Sequence, residues 1–351
     1  MELAEYLDIE VLDGLIENGY VSRREHKEYP LVIFNYTPIA TYNFKPRDWP
    51  DALMKCRGLI VHSTSGEIVA VCQPKFWNID PETHNESGEF LTFDKMDGSM
   101  GVVYSYDNKL HVATRGSFHS EQAEWATEFI QAVDNVDYCI YLEGMIDAGF
   151  TPHVEIIYPD NKIVLEYDYS DLVLLGYQHL KANRWWVPAN IDYNAYPGRV
   201  AEEFYAESIT DLPAERDGKE GFIIFYPKSG NKYKIKHEHY MDLHRAIFNL
   251  TDRKIWDQVY AGTQHEFIAN MPNEFQDEIS RKADHYVCRA IGIQAECIDL
   301  YFNWLDNNPS TSKKDFAIDF KDHPLKYFLF MYWDRKSAMD IYKKILYSFR
   351  P

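Results

Sequence analysis

The sequence predicts an α+β chain: a domain of antiparallel sheets with helices over residues 1–245, then an all-helical domain over 246–351. Three observations carry this. Short runs of β-branched and aromatic residues, bounded by turn residues, recur up to about residue 245. Beyond that point the alternation stops and apolar residues return at helical spacing. The chain has 351 residues, 46% hydrophobic and 26% charged, which suits about two packed domains and excludes a disordered or collagen-like chain.

The elements follow in order. Residues 30–36 and 58–72 read as strands. Over 101–115, Val102, Val103 and Tyr104 lead to a turn at Asp107-Asn108, and Leu110 and Val112 return, which predicts a hairpin. Ser120 caps a helix with Glu121 in its first turn and Ala123, Ala126, Ile130 and Val133 on one face. Strand-like runs resume at 153–158, 162–167 and 171–177. A second hairpin runs from Gly221 to Tyr226, turns at Lys228-Ser229-Gly230-Asn231, and returns over 233–236. In the helical part Ile279, Ala283, Val287 and Ile291 mark one face, and Leu325, Phe328, Tyr332, Ala338, Ile341 and Ile345 mark others. Residues 308–312 read as a loop. The aromatic tail (Tyr327, Phe328, Phe330, Tyr332, Trp333) fits a packed core better than a base-stacking surface.

Charge narrows the classes further. Lys plus Arg number 36 and Asp plus Glu 55, a formal charge of −19. Such a chain repels phosphate backbones at long range, so nucleic acid would be held by a local basic site and not by a long basic track. No apolar run approaches the roughly 18 residues needed to span a membrane. The acidic start lacks the basic region of a secretory leader. Five widely spaced cysteines with no CxxC argue against a disulfide scaffold and a zinc site, and together these point to a cytoplasmic protein.

The sharpest chemical signal is Lys95-Met96-Asp97-Gly98-Ser99 ahead of a strand. A lysine is a nucleophile only when neutral, and at pH 7 that form costs about 4–5 kcal/mol in water. Burial or neighbouring cations lower the cost. Lys234 and Lys236, two apart on a strand, share a face and could supply those cations. By itself Lys-x-Asp-Gly marks a turn with a solvated lysine. His237-Glu238-His239 lacks zinc spacing and reads as a solvated loop.

The tetrapeptide belongs to an ordered series. Lys55-Cys56-Arg57-Gly58, Thr114-Arg115-Gly116-Ser117, His153-Val154-Glu155-Ile156, Asp171-Leu172-Val173-Leu174, Glu220-Gly221-Phe222-Ile223 and Lys234-Ile235-Lys236 accompany it. The series resembles the motifs of covalent nucleotidyltransferases: ATP-dependent DNA and RNA ligases and mRNA capping enzymes. Ile33-Phe34-Asn35-Tyr36, Pro74-Lys75-Phe76-Trp77-Asn78, Ser120-Glu121-Gln122-Ala123, Asn161-Lys162-Ile163-Val164-Leu165 and Tyr240 narrow it to the phage tRNA-repair RNA ligases, over roughly residues 30–245. The helical tail fits that family, whereas DNA ligases and capping enzymes carry a β-rich domain there.

The resemblance implies an ATP-grasp-like nucleotidyltransferase domain and a three-step reaction. Lys95 attacks ATP to form lysyl-AMP, AMP passes to an RNA 5′-phosphate, and a 3′-hydroxyl displaces it. It implies Lys234 and Lys236 at the α-phosphate, Arg57 and Lys75 on the ATP phosphates, and Tyr36 at the nucleotide. It implies Gly98 giving the close backbone approach, Arg115 at the ribose or phosphates, and Glu155 and Glu220 at the ribose or the waters of Mg²⁺. Arg57 could alternatively form a structural salt bridge, Lys75 lie solvated, and Glu155 end a strand. The implied partners are RNA with 5′-phosphate and 3′-hydroxyl ends, such as a nicked tRNA, and a separate end-healing kinase and phosphatase, with the chain acting as a monomer. A DNA ligase, a GTP-using capping enzyme and an inactive RNA-binding relative are the competing readings.

Overall fold

A computed structural model describes residues 1–81, 84–161, 163–181, 184–186, 195–247, 250–269, 271, 273–309 and 312–351. Lys162 of the expected strand and Ser310-Thr311 of the expected loop lie outside the described residues. The chain divides into two compact units, Met1–Phe248 and Asn249–Pro351.

Among the described residues the first unit holds thirteen strands: β1 Val21–Glu25, β2 Leu31–Tyr36, β3 Arg57–His62, β4 Ile68–Ala70, β5 Trp77–Asn78, β6 Leu91–Asp94, β7 Ser99–Tyr106, β8 Lys109–Thr114, β9 Phe150–Ile157, β10 Asp171–His179, β11 Arg184–Trp186, β12 Gly221–Phe225 and β13 Lys232–Lys236. They form three sheets, ordered β1-β2-β3-β4, β11-β10-β9-β7-β8 and β5-β13-β12-β6. Pairing is antiparallel except for the short β13–β5 contact, which is parallel.

Sequence sets these elements. Asp107 and Asn108 both adopt positive φ, 53° and 55°, the tight turn that lets β7 fold back on β8. The β7 strand is buried on both faces, so Val102, Val103 and Tyr104 are all apolar. Val102 and Tyr104 pack on Leu31, Ile33 and Ile60 of the first sheet. Val103 packs with Ala126, Ile130 and Leu142, on the helices Glu121–Gln131 and Val136–Asp147. The Ser120 hydroxyl accepts from the Ala123 N–H and caps the first of these.

Four expectations need correction. The 58–72 run is two strands, β3 and β4, because a turn breaks it. Val133 leaves the apolar face and is 90% exposed, because Ala132 turns extended and ends the helix. Residues 163–167 form no strand, because the N–H groups of Val164 and Leu165 donate to the Asp97 carboxylate at 2.9 and 2.7 Å. His237 is not solvated: it is buried, with Nδ1 2.8 Å from the Ala214 carbonyl.

The second unit is helical around the long helix Asn273–Asn307. Its buried positions include Phe275, Gln276, Ile279, Ala283, Ala290 and Cys297, while Ile291 is exposed. Of the aromatic tail, Phe328 is buried, Phe330 and Trp333 pack on Phe316 at 5.2 and 5.0 Å, Tyr332 stacks on Tyr301, and Tyr327 is exposed. No helix among the described residues is long and apolar enough to cross a membrane.

Candidate active site

The third sheet assembles the charged residues. Lys95 directly follows β6, and its N–H donates to the carbonyl of Gly221, the first residue of the neighbouring β12. Glu220 stands one residue before β12, and β13 beside it carries Lys234 and Lys236. From the second sheet, β9 presents Glu155, whose Oε1 accepts the Gly98 N–H at 3.0 Å. A Cβ on Gly98 would stand 2.7 Å from the Ile156 carbonyl oxygen, so only glycine lets β9 lie this close to the turn.

These residues surround a cavity of about 280 Å³. Lys95, Lys234, Arg57, Arg115, Gly98 and Glu155 line it, with Phe93, Leu175, Ile223, Phe225 and Trp185 as apolar wall. Lys236 and Glu220 stand behind Lys95. The Glu220 carboxylate takes Lys95 Nζ on one oxygen at 2.7 Å and Lys236 Nζ on the other at 2.8 Å. Tyr36 and Lys75 make a separate cluster. Arg115 Nη1 donates to the Tyr36 hydroxyl at 2.9 Å, and Lys75 Nζ lies over the rings of Tyr36 and Trp77 at 5.3 and 4.8 Å. Arg57 forms no salt bridge among the described residues; it donates to Cys72 Sγ and the Gln73 carbonyl, both at 3.3 Å.

The electrostatics differ from expectation at the central residue. Burial pushes the Lys95 amine down, but Glu220, Glu155 and Asp97 outweigh it and leave its pKa above that of an ordinary lysine. Lys95 is therefore a paired ammonium. The two flanking lysines do not neutralise it, because Glu220 stands between Lys95 and Lys236 and cancels the repulsion. Glu220 itself is pushed up by burial, yet Lys95 and Lys236 bring it below the usual carboxylate range. Glu155 behaves oppositely: burial, with Glu220 and Asp97 nearby, overrides Lys95 and raises it to about 8. Tyr36, although burial opposes ionisation, is lowered to about 7 by Arg115, Lys75 and Arg57.

Glu155 is the carboxyl that fits a hard cation. It faces the cavity, and among the described residues only its Oε1 has a hydrogen bond. Glu220 has both oxygens committed to lysines. No three metal-ligating side chains cluster among the described residues. An ion here would lean on phosphate oxygens and water, as magnesium does.

Sequence reading missed two contributors. Asp97 is buried and braces the site: Oδ2 holds residues 164–165 and Oδ1 accepts from the Tyr240 hydroxyl at 2.8 Å. Its place in Lys-x-Asp-Gly was a signal for it. Lys232, on the same face of β13 as Lys234 and Lys236, also lines the cavity, and its two-residue spacing was visible.

A lysine beside basic and carboxyl groups on one cavity of an α+β domain brings together the groups that covalent transfer at phosphorus uses. The chain belongs to the RNA ligase family, whose family model matches residues 55–240, more than half of its length. It is similar to a protein named as a bifunctional polynucleotide kinase/RNA ligase in Autographa californica nuclear polyhedrosis virus, 23% identical over 74% of this chain and 40% of that protein. A protein named as an RNA ligase in Thermovibrio ammonificans is 22% identical over 66% of this chain and 65% of its own. The RNA ligase of Rhodothermus phage RM378 is 20% identical over 68% of this chain and 65% of its own. The chain thus spans 40% to 65% of the length of these relatives.

Proposed function

We propose that the chain is an ATP-dependent RNA ligase that joins 5′-phosphate and 3′-hydroxyl RNA ends through lysyl-AMP and RNA-adenylate intermediates. The observation that carries this is Lys95 on a cavity shared with Lys234, Arg57, Arg115 and the carboxyl of Glu155. Family membership and the relatives' names support the RNA class.

Lys95 first gives up its proton and leaves the Glu220 pair. Its amine then attacks the α-phosphorus of ATP and pyrophosphate departs. Each later step is also a displacement at phosphorus, so the protein's work is positioning and charge neutralisation. Lys234 and Lys236 hold the α-phosphate. Arg57 and Lys75 hold the phosphate tail, with Tyr36 and Arg115 behind them. Gly98 gives the backbone room beside the nucleophile, and Glu155 and Glu220 set the charge around it. Mg²⁺, held by Glu155, would supply positive charge opposing the carboxylates that keep Lys95 protonated.

Residues 1–245 carry adenylylation in this reading, and 246–351 form the helical domain. The natural substrate is a nicked tRNA, healed by a separate kinase and phosphatase and sealed by a monomer in the cytoplasm, that of a phage-infected cell if the gene is viral. The polynucleotide kinase in the viral relative's name supports the healing partner.

ATP labelled in its α-phosphate tests the reading. Label should stay on denatured wild type and be absent from Lys95→Ala, and a cleaved tRNA stem-loop with healed ends should be sealed. Label from GTP and not ATP, or no covalent label, would overturn it.

A further inference from the structure

Lys232 is the third lysine on one face of β13. Its amine lies 3.1 Å from the centre of the Trp185 ring and donates to Gln73 Oε1. No carboxylate among the described residues pairs with it. Burial, with Arg57 nearby, pushes its pKa well below that of an ordinary lysine. A buried amine without a counter-charge is costly to keep and fit to receive an anion.

Its position suggests which anion. Lys236 stands opposite Gly221, beside Lys95, and Lys232 stands opposite Phe225. Four steps along the strand separate the two lysines, about 13 Å at roughly 3.3 Å per residue. A triphosphate with its α-phosphate at Lys95 and Lys234 can thus run its tail along β13 toward Lys232. Lys232, Gln73, Phe76 and Trp185 also line a second hollow of about 580 Å³, into which Lys75 faces. These four side chains form the partition between the two spaces.

We infer that Lys232 receives the pyrophosphate released from ATP and that the partition it forms with Gln73 and Trp185 is the way out into the second hollow. The inference rests on the adenylylation reading above. In that step the neutral Lys95 amine forms the N–P bond. The bond from the α-phosphorus to the α,β-bridging oxygen breaks, that oxygen leaves with the electron pair as part of pyrophosphate, and the nitrogen's surplus proton passes to solvent. Lys232 is a positioning residue that meets the growing charge on the leaving group.

The test compares wild type, Lys232→Met and Lys232→Arg in two assays. The first follows loss of label from adenylylated protein as inorganic pyrophosphate converts the bound AMP back to ATP. The second follows sealing of pre-adenylylated RNA, which involves no pyrophosphate and also reports folding. Loss of one charge-assisted contact should raise the pyrophosphate concentration for half-maximal release about tenfold or more in Lys232→Met. Lys232→Arg should recover most of that, and sealing should fall by a clearly smaller factor than the pyrophosphate dependence shifts. An unchanged pyrophosphate dependence, or an equal loss in both assays, would overturn the assignment. Failure of wild type to form lysyl-AMP would instead bring down the adenylylation reading, and the inference with it.

Discussion

Lys95 Nζ and Glu220 Oε2 stand 2.7 Å apart, so the nucleophile of the proposed reaction rests half-buried, paired with a buried carboxylate. Because Glu220 raises the Lys95 pKa, adenylylation at saturating ATP should accelerate as pH rises above neutrality. In Glu220→Gln that negative charge is gone, the amine titrates lower, and the rising limb should move to lower pH. Single-turnover rates between about pH 6 and 9 read this directly. A limb that stays in place would show that Glu220 does not govern the proton on Lys95.

Glu155 sets a stability prediction. Its folded-state pKa is raised to about 8, above the ordinary carboxyl value that the unfolded chain shows. Between those values the unfolded state gives up the proton while the folded state keeps it, so Glu155 lowers stability progressively as pH rises from about 4.5 to 8. The cost at pH 9 is as much as about 5 kcal/mol. Glu155→Gln removes it and can still accept from the Gly98 N–H. Its Tm should match wild type near pH 4.5 and exceed it by several degrees at pH 9, measured by calorimetry; equal melting at both would refute the burial argument.

Gly98→Ala places a methyl 2.7 Å from the Ile156 carbonyl and 3.1 Å from Glu155 Cγ. The carbonyl belongs to β9 and cannot swing aside. A loss of about 1–3 kcal/mol in urea unfolding is expected, together with slower adenylylation because the same turn aims Lys95. A variant as stable and as fast as wild type would mean the turn has room.

Tyr36 should titrate near pH 7. The ultraviolet difference between wild type and Tyr36→Phe should show one phenolate appearing around that pH. The same signal should move to higher pH in Arg115→Met, which removes the guanidinium that donates to the hydroxyl. No phenolate below about pH 9 would contradict the cation cluster around it.

Much of the fold could be read because its signals are local. Asp107-Asn108 tolerates positive φ, Ser120 offers a cap, and two-residue spacing puts Lys234 and Lys236 on one face. What failed depended on partners distant in sequence. Ile163-Val164-Leu165 has strand composition, yet the Asp97 carboxylate captures its N–H groups. Ile291 follows Ile279, Ala283 and Val287 at four-residue steps, but each step overshoots a helical turn by about 40° and three carry it off the core. Ala283, Ala290 and Cys297, seven apart, drift by only about 20° per step and stay inside. In the candidate site, the shared face of Lys234 and Lys236 was legible and the charge state was not. Only folding shows that Glu220 comes between two of the lysines, or that Lys232 meets Gln73 and Trp185.

The two-residue strand β5 ties both ends of this chemistry together. Trp77 and Asn78 align with Tyr233 and Lys234, and the Ile79 N–H donates to the Lys234 carbonyl at 3.1 Å. Lys75, two positions upstream of Trp77, is thereby indexed to the strand that carries Lys234. A single extra residue between Lys75 and Trp77 would leave the clasp fastened yet swing the lysine to the opposite side, away from its aromatic cage. The span between those two positions is a fixed ruler, in which length matters as much as chemistry.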